Sequence, residues 1–70
     1  MEERTLRELY EVQDNRTLHS YLRRYKAQVA EKQAMMERYD PGTPWRARAK
    51  HNLVTYQLHI AAIEQILRER

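Results

Sequence analysis

Apolar residues return every three or four positions along most of this chain. The clearest run is Trp45, Ala49, Leu53, Tyr56, Ile60, Ile63 and Leu67. Steps of four and three keep one side of an α-helix apolar, so this run predicts a helix from Pro44 to about residue 69. A second stripe runs Leu18, Leu22, Tyr25, Val29, Met36, Tyr39, with Tyr21 and Met35 beside it, and predicts a helix over 16–39. A third, shorter one, Leu6, Leu9, Tyr10 and Val12, predicts a helix over 5–13. Extending the second stripe backward lands on Asp14 and Glu11, out of phase with Leu9 and Tyr10. The chain is therefore expected to bend at Asp14-Asn15, two residues that favour caps and turns over helix interiors. One continuous, gently bent helix is the alternative. Nothing alternates over a strand's length.

The polar positions supply the boundaries. Thr5-Leu6-Arg7-Glu8 has the capping-box spacing, and Met1 to Arg4 before it are expected to fray. Asp40-Pro41-Gly42-Thr43 ends one helix and starts the next. Pro41 cannot continue a helix and Gly42 suits a tight turn. Thr43 is a good N-cap, and Pro44 fits the first helical position. So short a loop makes the flanking helices antiparallel neighbours, about 36 and 39 Å long at 1.5 Å per residue. The third helix also carries Val54, Ala61 and Ile66 beside its main stripe, more width than one partner helix covers. The short first helix, folded back, is expected over Ile63, Ile66 and Leu67. The expected fold is one all-α domain over residues 1–70. It is a long antiparallel helical hairpin with a short N-terminal helix against it, a three-helix arrangement able to pair into a dimeric helical bundle.

Composition changes this picture little. The chain has 70 residues, no Cys, one Gly and two Pro. A domain this small without disulfides needs long regular helices or a second chain for stability. No apolar run reaches the length of a membrane span, and the charged start "MEERTLRELY" lacks a signal peptide's apolar core. A soluble cytoplasmic protein without membrane association is expected.

Charge distribution says more than the net +3. No acid occurs from Asn15 to Ala30, where Arg16, His19, Arg23, Arg24 and Lys26 form a basic run. None occurs from Pro41 to Ile63 either, where Arg46, Arg48 and Lys50 crowd the start of a helix whose dipole is already positive there. Pairing of those three with Glu37 and Asp40 across the hairpin is expected to offset the cost. Without it, a helix start ringed by cations suits an anion, a partner's carboxylate or a phosphate.

Catalysis finds no support. Ser20 directly follows His19, so the two do not face each other on a helix. His51 and His59 lie eight residues apart, too far for one metal, and the single Gly sits in the turn. All three His read as polar surface residues. No enzyme, cofactor, metal or small-molecule substrate is expected. Two classes remain. The first is a small helical interaction protein that docks on a larger protein as regulator, inhibitor or adaptor, with self-association as a further expectation. Its anchors would be Met35, Met36, Tyr39 and Trp45, with Arg46, Arg48 and Lys50 as charged rim. The same loop-end residues, with Val54, could instead simply close the hairpin core. The second class is nucleic-acid binding through the Arg16–Lys26 face. The stretch "TLRELYEVQDNRTLHSYLRRYK" resembles a helix-turn-helix, although it lacks that motif's small residue and turn Gly.

Overall fold

The computed structural model describes residues 5–70, so the expectation for Met1 to Arg4 lies outside the described residues. Three helices follow in order: α1 (Leu6–Glu11), α2 (Asn15–Arg38) and α3 (Pro44–Glu69), with no strand among the described residues. Helix α2 packs along α3 as the hairpin, and α1 folds back against α3. The fold is all-α.

Each helix start is capped by the residue the sequence offers for it. The Thr5 hydroxyl accepts from the Glu8 backbone N–H at 3.2 Å, and the Asp14 carboxylate accepts from that of Thr17 at 2.7 Å. Asp14 thus splits α1 from α2, and the single bent helix does not occur. At the turn Gly42 takes φ 88°, a backbone conformation that costs a side-chain-bearing residue a steric clash. The Thr43 hydroxyl donates to the Asp40 carbonyl at 3.0 Å and accepts from the Arg46 N–H at 3.3 Å. Helix α1 ends at Glu11, two residues before the expected limit, while the bounds of α2 and α3 lie within one residue of expectation.

The core sits at the end away from the turn. Leu18 and Ile63 are wholly buried, Tyr10 and Ile66 nearly so, and Tyr21, Leu22, Tyr25, Ala62 and Leu67 pack around them. Burying a Leu or Ile side chain completely contributes about 1.5–3 kcal/mol, so these few residues dominate the hydrophobic term. Ile66, not Leu67, is the more deeply buried, because α1 lies over its side of α3. Of the apolar stripe predicted for the first helix, Leu9 is 44% and Val12 79% exposed, and Tyr10 alone is buried.

Two guanidinium groups tie the ends together. Arg70 donates to the Glu11 carbonyl at 2.8 Å, the Gln13 carbonyl at 2.9 Å and the Asn15 side chain at 2.8 Å. These bonds satisfy carbonyls left open at the C-terminus of α1, where a cation also suits the helix dipole. Arg7 bridges Glu11 and Glu69.

Near the turn the helices bury little. Ala49 is the one fully buried residue there; Met35, Met36, Tyr39 and Leu53 are half-buried. Trp45, placed in the core stripe by its spacing, is 61% exposed. The last turn of α2 meets the first turn of α3 through Met36, which lines a groove with Arg46 and Ala47, and the indole is left outside that contact. Val54 does not join this end of the core either: it is 47% exposed on the outer side of α3, as is Leu58 at 58%.

Candidate functional site

The seam between α2 and α3 has two flanks, and both are readable as rows of side chains. On the α1 side, α2 contributes Tyr21, Tyr25, Gln28, Lys32, Met35 and Tyr39, spaced by four and three. Helix α3 answers with Trp45, Asn52, His59 and Ile66, each seven residues on. Such spacings hold a row on one flank of a helix turning about 100° per residue.

Tyr10 of α1 fills the lower half of this trough. Its ring meets Tyr21 edge-on at 5.8 Å and His59 at 5.6 Å, and Tyr25 stacks on Tyr21 at 6.0 Å. The Tyr10 hydroxyl lies 3.0 Å from that of Tyr25 and 2.5 Å from His59 Nδ1. A hydroxyl donating to an unprotonated Nδ1 keeps its lone pairs for the Tyr25 hydroxyl, so all three groups are satisfied. Burial first, and the Tyr25 hydrogen bond second, push the Tyr10 phenol well above its usual range. His59 is thus half-buried and bonded, which corrects the expectation of three surface histidines; His19 and His51 are exposed. The buried Tyr10 hydroxyl offers no approach to a substrate, so the arrangement is a structural latch for α1.

Beyond Tyr10 the trough runs on towards the turn without cover. By helical phase Met35 and Tyr39 of α2 and Trp45 of α3 fall on this flank, with Lys32 and Arg48 on the same side; Trp45 and Arg48 are exposed and the other three half-buried. The Lys32 ammonium lies 3.9 Å from Met35 Sδ, its stem half-buried along the row. The result is an apolar strip ending in an exposed indole, edged by cations.

The opposite flank holds the rest of the expected rim. Met36, Arg46 and Lys50 line a groove of about 480 Å³ with Pro41, Thr43 and Pro44. The seven loop-end residues predicted as one surface therefore divide: Met35, Tyr39, Trp45 and Arg48 on the α1 side, Met36, Arg46 and Lys50 on the other. The expected pairing of Arg46, Arg48 and Lys50 with Glu37 or Asp40 does not form. Among the described residues the ion pairs are Arg7 with Glu11 and Arg7 with Glu69. Asp40 instead uses its backbone carbonyl to hold Thr43, within the turn.

Arg16, His19, Arg23, Arg24 and Lys26 are all exposed on the outer face of α2. Among the described residues no group of three metal-ligating side chains converges, and no helix is long and apolar enough to cross a membrane. Compared with known proteins, the chain matches no family model, no curated relative and no solved structure.

Proposed function

We propose that this protein is a small docking module that binds a larger protein through the open, loop-end half of the α1-side trough. The occupant is an amphipathic segment of that protein, lying along Met35, Tyr39 and Trp45 as Tyr10 lies along Tyr21 and Tyr25. Lys32 and Arg48 favour a segment with carboxylates beside its apolar residues. The observation that carries this reading is Trp45: a large aromatic 61% exposed at the end of an apolar row, the kind of residue that anchors interfaces. Binding of this type acts by occlusion or bridging, as a regulator, inhibitor or adaptor does, and needs no chemistry from the chain.

Affinity capture from the host with wild-type protein and Trp45→Ala tests it. Because the indole is mostly exposed, Trp45→Ala should shift stability by no more than about 0.5–1 kcal/mol and leave helix content unchanged. The variant should nonetheless lose a partner that wild type retains. A Trp45→Ala chain that unfolds, or that keeps every wild-type partner, would overturn the proposal.

One observation favours a second reading. Arg16, His19, Arg23, Arg24 and Lys26 are exposed together on a segment without acids and outside the ion pairs of the described residues. That face suits a phosphate backbone. Duplex binding that falls steeply with salt and disappears in Arg23→Glu/Arg24→Glu would support it; no binding at low salt would remove it.

A further inference from the structure

The outer side of α3 carries apolar residues that the docking reading does not use. Ala47, His51, Val54, Leu58, Ala61 and Gln65 are spaced alternately by four and three. At about 100° per residue they form one stripe, on the side of the helix opposite Ala49, Tyr56 and Ile63. Ala49 and Ile63 are buried and Tyr56 meets Tyr25 of α2, so that opposite side is the one facing the hairpin. All six stripe residues are exposed, Val54 and Leu58 among the largest apolar side chains left so. Alternating steps of four and three are the spacing of a seam between two helices.

We propose that this stripe pairs with the same stripe of a second copy of the chain, the two α3 helices running antiparallel about a twofold axis level with Tyr56. The stripe is symmetric about that position, so the axis gives every residue a definite opposite. Leu58 meets Val54 of the second copy, His51 meets Ala61, and Gln65 meets Ala47. The two Leu–Val layers lie at the centre. In the layers outside them a long side chain faces an alanine, which lets the helices approach closely without voids.

Charge complementarity selects this occupant and this direction. Beside the stripe, on the flank away from α1, Lys50, Gln57 and Glu64 stand seven residues apart. Lys50 borders a groove there with Met36, and Glu64 another with Leu22. Antiparallel helices bring like flanks together, so Lys50 of each copy comes level with Glu64 of the other, and Gln57 with Gln57 between them. The second flank, Arg48, Thr55 and Ala62, brings no like charges together. A parallel pair would instead set Glu64 against Glu69. Sliding the antiparallel pair by seven residues leaves Lys50 opposite Gln57 or beyond the helix end, so the charges select register as well. Neither Lys50 nor Glu64 belongs to the ion pairs of the described residues. The same arrangement offsets the cations that crowd the start of α3. It lays that end, positive in its dipole and rich in Arg46, Arg48 and Lys50, beside the negative end of the second copy's α3. Such rim pairs add little affinity, while the apolar layers supply the attraction.

Sedimentation of the full chain over a wide concentration range tests the proposal. Wild type should pass from monomer to dimer. Leu58→Lys, at an exposed position, should keep the helix content and raise the midpoint concentration at least about 100-fold. Val54→Lys repeats the test from the facing position if Leu58→Lys loses helix. Charge reversal provides a readout that folding defects do not mimic. A Lys50→Glu chain and a Glu64→Lys chain should each dimerise about tenfold more weakly than wild type, because like charges then meet twice. Mixed, the two should prefer each other, and the double variant Lys50→Glu/Glu64→Lys should dimerise like wild type. A wild type that stays monomeric overturns the proposal, and so does a midpoint unchanged in both Leu58→Lys and Val54→Lys. Reversed chains that associate no better mixed than alone overturn the antiparallel arrangement. Trp45→Ala should leave the dimer intact, so this result and partner docking fail independently.

Discussion

Replacing Tyr10 by Phe isolates the hydroxyl that latches α1 to the hairpin. The ring stays and continues to fill its site, where Tyr10 is 6% exposed, while the bonds to Tyr25 and His59 are lost. Each such bond contributes about 0.5–1.5 kcal/mol net. Tyr25 and His59 are only half-buried, so water can reach part of what they lose. The expected cost is therefore about 1–2 kcal/mol, the lower part of the range for two bonds. At this chain length each kcal/mol lowers the melting temperature by about 4–8 °C. Tyr10→Ala removes the ring as well and should cost about 3–5 kcal/mol. A six-residue helix cannot persist alone, so α1 should melt in that variant. Urea and thermal unfolding followed by circular dichroism measure the totals, and amide exchange over Leu9–Glu11 locates the loss. Tyr10→Phe as stable as wild type would refute the latch. So would α1 amides that exchange as freely in wild type as in Tyr10→Ala.

Other outcomes follow from the same geometry. Gly42→Ala places a Cβ in open space but at positive φ, and should destabilise by about 1–2 kcal/mol in urea unfolding. Hydrogen bonding to Arg7 holds the Glu69 carboxyl below its ordinary value of 4.5, and hydrogen bonding to Thr17 holds Asp14 below 3.8. Both contributions are present above those values and lost as pH falls through the lowered ones. Amide exchange should show α1 and the start of α2 loosening first below pH 4. Tyr10 works in the opposite direction. Its raised phenol favours the neutral form, so the stabilisation is complete below the ordinary value of 10.0 and declines above it. Alkaline titration followed at 295 nm should show one tyrosine ionising last, and Tyr10→Phe should remove that step.

The helices were readable because Asp14, Gly42, Thr43 and Pro44 each act through local backbone geometry that spacing along the chain reveals. The buried pair Leu18 and Ile63 falls on the stripes for the same reason. What escaped depends on how the helices sit against one another. Trp45 keeps the phase of the core stripe, yet the last turn of α2 meets α3 at Arg46 and Ala47 and leaves the indole exposed. His59 looks like a polar surface residue until α1 brings the Tyr10 hydroxyl to it. That pairing joins residues 49 apart, which no local period encodes. The Arg70 bonds to α1 carbonyls have the same origin. The loop-end cluster was legible as a set of residues but not as two flanks. Met35 and Met36 are neighbours in sequence, and the 100° between them sends one towards Trp45 and the other towards Arg46.

The measurement closest to the central claim is parallel partner capture with wild type, Trp45→Ala and Ile60→Lys at matched helix content. The docking account predicts that Trp45→Ala alone abolishes capture, while Ile60→Lys, altered on the other flank, still presents the trough and retains it. A partner held equally by wild type and Trp45→Ala would contradict the account.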